Sequence, residues 1–139
     1  MARLATTGRV TKRVLIVDDD AAIVQVLQDA FGLFRHDHAY VIETAADGAE
    51  GLAALERAPF DLILLDVNMP KMTGLELLAE TGRRGLSTPV LLLTGNEDTQ
   101  TAARALKSGI FAYVPKPFDL LQLEMLVSLA ASRSASALA

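Results

Sequence analysis

Val14-Leu15-Ile16-Val17-Asp18-Asp19-Asp20 is the stretch from which the fold is read. Four aliphatic residues in a row, stopped by three carboxylates, predict a short strand buried on both faces, as parallel sheets require. Asp20 then caps a helix whose apolar positions Ile23, Leu27, Phe31 and Phe34 recur at helical spacing. The same unit repeats down the chain. His36, Asp37 and His38 make a polar connection to a second strand over 40–44, and Asp47-Gly48 opens a helix carrying Leu52 and Leu55 as far as Pro59. A third aliphatic run, 62–65, again ends on a carboxylate, Asp66, and the helix after it passes through Leu75, Leu78 and Ala79 to Gly82 or Gly85. Residues 90–93 predict strand four, 98–107 a helix stopped by Gly109, 111–114 strand five, and Asp119 caps a last, mostly apolar helix.

Five buried strands alternating with five helices predict an α/β domain, a parallel sheet with helices on both faces and right-handed crossovers. For five strands the doubly wound arrangement offers the order 2-1-3-4-5. The 139 residues suffice for one such domain. Residues 1–12 are expected to form a flexible arm, 13–131 the domain, and the Ser/Ala-rich 132–139 a flexible tail. Thirteen Lys+Arg against seventeen Asp+Glu leave a net charge of −4, which disfavours nucleic acid and anionic membranes as partners. Cysteine is absent, excluding disulfides, thiolate metal sites and thiol nucleophiles. The apolar runs are broken by charges well short of the roughly 20 residues that span a bilayer, so a cytoplasmic protein is expected.

In doubly wound sheets ligands bind beyond the carboxyl ends of the strands. Strand one delivers Asp18 and Asp19 there, strand three Asp66, strand four Thr94-Gly95, and strand five Lys116 between two prolines. Carboxylates gathered so closely repel one another unless a cation compensates, and an all-oxygen set suits Mg²⁺. Taken alone, Asp18, Asp19 and Asp20 read better as turn residues and a helix cap, and Asp66 equally well as the start of a loop. Their recurrence at strand ends together with Lys116 favours a site. His36 and His38 offer two ligands in a solvated loop, too few for a metal, and Arg83-Arg84 at a helix end compensates the helix dipole.

Asp18-Asp19 after the first strand, Leu64-Leu65-Asp66-Val67-Asn68-Met69-Pro70, Thr94-Gly95, and Tyr113-Val114-Pro115-Lys116-Pro117-Phe118 together resemble the receiver domain of bacterial two-component response regulators. The resemblance covers about residues 13–131 and implies a flavodoxin-like fold. It implies a phosphoacceptor switch rather than an enzyme, with Asp66 receiving a phosphoryl group from a sensor histidine kinase or phosphotransfer protein. Asp18, Asp19, Asp66 and the backbone carbonyl of Asn68 would hold Mg²⁺. Lys116, across a cis bond to Pro117, and the Thr94 hydroxyl would meet phosphoryl oxygens, Gly95 leaving space. Thr94 and Tyr113 would then switch the surface of the fourth helix, fifth strand and last helix. Pro115 departs from the commoner family pattern and stiffens the segment. Asn68 and Asn96, two residues after Asp66 and Thr94, stand where the family tunes hydrolysis of the acyl phosphate.

Two alternatives stand beside this reading. One is a phosphorylation-independent interaction module of the same fold, which the intact residue set disfavours. The other is a phosphatase-like hydrolase, which Asn68 disfavours by supplying no acid for a leaving alcohol. With one helix and a tail after Asp119, the chain is expected to be a stand-alone receiver or a fragment of a longer regulator or hybrid kinase. On the last helix, at about 100° per residue, Leu123, Val127, Leu120 and Ala130 share one face for burial. Leu121, Met125 and Leu129 share another, a candidate surface for a downstream protein or a second copy.

Overall fold

The computed structural model describes residues 10–34, 38–67, 69, 72–95, 107 and 109–136, with side chains as far as 133. Its elements are β1 (Val10–Val17), α1 (Ala21–Leu33), β2 (His38–Ala45), α2 (Gly48–Arg57), β3 (Leu62–Asp66), α3 (Gly74–Arg83), β4 (Val90–Thr94), β5 (Ala112–Pro115) and α4 (Leu120–Ser136). The strands form one parallel sheet in the order β2-β1-β3-β4-β5. Four of the five expected helices are thus described; of the one expected over 98–107, only Lys107 lies within the described residues, and it is helical.

Alternation along each strand divides the core into two layers. Leu15, Val17, Ile63, Leu65 and Leu92 face one side and pack with Ala54 of α2 and Leu77 and Leu78 of α3. Val14, Ile16, Leu62, Leu64, Leu91, Leu93 and Val114 face the other and pack with Leu27 and Phe31 of α1 and Leu123, Val127 and Ala130 of α4. Because both faces are covered, all five residues of β3 and of β4 are buried, and the aliphatic runs show no polar alternation.

Local chemistry sets the helix ends. The Asp20 carboxylate accepts from the N–H of Ala22 and Ile23, Asp47 from that of Glu50, and Asp119 from that of Gln122. Thr73 and Glu76 form a reciprocal capping box at α3. That helix closes at Gly85, with φ +71°, where the N–H of Gly85 donates to Gly82 O and that of Leu86 to Thr81 O, a Schellman ending. Gly109 also has positive φ, +96°.

Several boundaries differ from expectation. The first strand opens at Val10, inside the expected arm, because Val10, Thr11 and Lys12 find ladder partners in His38, Ala39 and Tyr40. His38 therefore belongs to β2 rather than to a solvated loop, its ring 6.1 Å from that of Tyr40; His36 lies outside the described residues. The last helix continues through Ser132 to Ser136, into the expected tail. Leu120 is 42% exposed despite its shared face with the buried Leu123.

Candidate functional site

Register brings the strand ends level. Val17 pairs with Leu65, Asp66 with Leu93, and Thr94 with Pro115, so the residues that end or follow β1, β3, β4 and β5 line one edge. Backbone bonds tie the loops to it: the Asp18 N–H donates to Ala45 O (3.0 Å), Val67 N–H to Leu93 O (3.2 Å) and Lys116 N–H to Thr94 O (2.7 Å). Pro115 sits in the edge strand, where a missing donor is tolerated, and the Lys116-Pro117 bond is cis.

Asp18, Asp66 and Thr94 are buried, while Asp19 is exposed. Each of Asp18, Asp19 and Asp66 offers a carboxylate oxygen within 4.8 Å of the other two. Lys116 reaches over them, its Nζ 3.2 Å from Asp66 Oδ1 and 3.7 Å from Asp18 Oδ2. The Asp20 N–H donates to Asp18 Oδ1 at 2.9 Å, so Asp20 caps α1 with its side chain and steadies Asp18 with its backbone. Burial, first of all, pushes the Asp18 carboxyl up to about 6; the Asp20 N–H opposes this, Asp66 adds to it, Lys116 opposes it and Asp19 adds to it. Burial also draws the Lys116 ammonium down, but Asp66 and Asp18 outweigh it and hold its pKa above the ordinary lysine value.

One ammonium does not neutralise this cluster. Asp18 Oδ2 is buried and accepts no hydrogen bond, a cost that a cation would remove. Three carboxylates, all oxygen donors with one open to solvent, fit a hard divalent ion that keeps part of its water shell. Asn68 and Asn96 lie outside the described residues. Tyr113 pairs with Leu92 and so lies on the same sheet face as Thr94, two residues along, and is 45% exposed. Leu121, Met125 and Leu129 are 78%, 56% and 53% exposed, whereas Leu123, Val127 and Ala130 are buried.

Two contacts escape the sequence. Gly74, the first residue of α3, lies against the main chain of Asp66, and Gly48, the first of α2, against Met72. The only local signal was a Thr-Gly pair with Glu76 following at capping-box spacing. Arg84, besides ending α3, bridges Glu80 and Glu56 of α2.

The sequence matches the family described as the response regulator receiver domain over residues 14–128. It is 36% identical over 115 residues to the regulatory protein AtoC of Escherichia coli (strain K12), covering 83% of this chain and 24% of that protein. It is 38% identical over 119 residues to the DNA-binding transcriptional regulator NtrC of the same organism, covering 86% of this chain and again 24% of the relative. The chain thus spans about a quarter of the length of these curated relatives. Among solved structures, the receiver domain of the Francisella response regulator 1452 superposes with a TM-score of 0.78 at 30% identity, covering 88% of this chain and 98% of that one.

Proposed function

This chain belongs to the response regulator receiver domain family, and on that premise we propose that it is a phosphoacceptor switch acting through Asp66. The observation that carries the proposal is Lys116 Nζ at 3.2 Å from Asp66 Oδ1, within an acidic cluster that includes Asp18 and Asp19. An Asp66 carboxylate oxygen attacks the phosphorus of a phosphohistidine on a sensor kinase or phosphotransfer protein. The P–N bond breaks, its electron pair stays on the imidazole nitrogen, which takes up a proton, and an acyl phosphate remains on Asp66. Lys116 and the Thr94 hydroxyl donate hydrogen bonds to phosphoryl oxygens.

Asp18, Asp19, Asp66 and the backbone of Asn68 are the residues we assign to Mg²⁺. When bound, the ion supplies positive charge against that of the carboxylates and the incoming phosphoryl group. Thr94, drawn to the phosphoryl group, vacates volume on the sheet face it shares with Tyr113, whose ring turns inward. The changed surface extends to Leu121, Met125 and Leu129 of α4, where a downstream protein or a second copy docks. Among the described residues no helix is long and apolar enough to cross a membrane, and we assign the switch to the cytoplasm.

Incubation with acetyl phosphate and Mg²⁺, read by intact-mass spectrometry, tests the assignment. The parent gains one phosphoryl group and Asp66→Ala gains none; equal labelling of the two overturns it.

A further inference from the structure

Gly74 opens α3 at a point of very close approach. A Cβ built on it lies 2.2 Å from the main-chain oxygen of Asp66, 3.0 Å from its carbonyl carbon and 3.0 Å from the Cα of Val67. Real Cβ atoms essentially never come within 3.0 Å of such neighbours, and here the obstacle is backbone rather than the end of a flexible side chain. The requirement is one of space. Gly85 and Gly109 have positive φ and need glycine for their dihedrals, whereas Gly74 does not.

Neither side of this contact yields easily. Asp66 is held in the sheet opposite Leu93, and the next N–H, that of Val67, donates to Leu93 O. Gly74 is held by its own N–H, which donates to Val67 O at 3.1 Å, and by the Thr73–Glu76 capping box around the same turn. The first turn of α3 therefore bears on the backbone whose side chain forms the centre of the site.

We propose that Gly74 is a positioning residue for Asp66: lacking a side chain, it lets α3 close onto the Asp66 main chain, and that contact holds the carboxylate within reach of Asp18, Asp19 and Lys116. The proposal rests on Asp66 being the phosphoacceptor and a metal ligand. A methyl group at position 74 has to open the gap from 2.2 Å to beyond 3.0 Å, moving either the end of β3 or the start of α3. A shift approaching 1 Å at a reacting group costs up to about 100-fold in rate. Gly51 provides the contrast: a Cβ there meets only side-chain atoms, Leu77 Cδ2 and Val17 Cγ2 at 3.1 Å and Val17 Cγ1 at 3.3 Å.

The test compares the parent with Gly74→Ala, Gly51→Ala, Thr73→Ala and Asp66→Ala. Three quantities are measured: the Mg²⁺ dissociation constant of the unphosphorylated protein by calorimetry, the rate of phosphoryl uptake from acetyl phosphate at saturating Mg²⁺, and stability in urea. Gly74→Ala is expected to weaken Mg²⁺ binding by about tenfold and to slow uptake at least as much. Gly51→Ala stays within about twofold of the parent on both, whatever it does to stability. Parent-like values for Gly74→Ala, or losses in Gly51→Ala that follow its stability in the same way, overturn the proposal. If Gly74→Ala does not fold, Thr73→Ala decides, since it loosens the same turn without adding an atom. A two- to threefold loss of Mg²⁺ affinity in Thr73→Ala, on the order of what a weakened cap allows, supports positioning, and an unchanged affinity overturns it. A parent that binds no Mg²⁺ and takes up no phosphoryl group, like Asp66→Ala, instead shows that the phosphoacceptor assignment has failed.

Discussion

Asp18 is buried among like charges, with a carboxyl pushed up to about 6 from 3.8. A carboxyl bound more tightly to its proton in the folded state contributes stability that is full below pH 3.8 and is lost as pH rises through about 6. In the metal-free protein, Asp18→Asn should therefore raise stability near pH 7 by on the order of 2 kcal/mol, with no gain near pH 4. Urea titrations at the two pH values check this, and equal effects at both would remove the assigned cause. Proton and cation compete for the same oxygens, so Mg²⁺ affinity should fall as pH drops below about 6. At this scale the sequence was highly legible. Asp18, Asp19, Asp66, Thr94 and Lys116 were named from their place after aliphatic runs, because a buried parallel strand leaves so plain a trace. Gly74 was not legible, since close approach of two backbones leaves no periodicity in the sequence.

Elements α1, α2 and α4 begin where their Asp caps predict. The end of α3 illustrates how a glycine's role depends on one dihedral. Gly85 has φ +71°, and Gly82, one turn earlier, lies inside the helix with nothing within 4 Å of an added Cβ. Gly85→Ala should cost about 1 kcal/mol because an L side chain is strained there. Gly82→Ala should add roughly 0.5–1 kcal/mol by removing backbone freedom from the unfolded chain. Denaturant midpoints of the two variants should move in opposite directions; a shift of the same sign in both would contradict the assignment of the helix end. Sequence spacing alone left Gly82 and Gly85 as equal candidates, because both sit a plausible distance past the last apolar position.

At the scale of the whole molecule, the outer sides of the described helices differ in chemistry. The outer side of α2 and α3 is laced by Arg84 with Glu56 and Glu80, and by Arg83 with Glu80. The outer side of α4 instead carries Leu121, Met125 and Leu129, all exposed, and this is the surface we propose for a partner or a second copy. We expect the phosphorylated or phosphoryl-mimicked parent to self-associate in sedimentation, and Leu121→Ser/Met125→Ser to remain monomeric with its fold intact. Parent-like association of the double variant would show that the stripe is not the interface between copies.

Composition and periodicity by themselves determined the class of fold, the number of strands, the parallel sheet and the residues that gather at its carboxyl edge. These follow from local rules: a strand buried on both faces must be aliphatic throughout, and a helix start needs a cap. Tertiary structure alone decided the rest. It drew Val10, Thr11 and Lys12 into the sheet through their pairing with β2, left Leu120 exposed, and pressed Gly74 onto Asp66. Each of these depends on which distant segment lies opposite, and a ladder partner, a covering neighbour or a steric contact exists only once the chain has closed on itself.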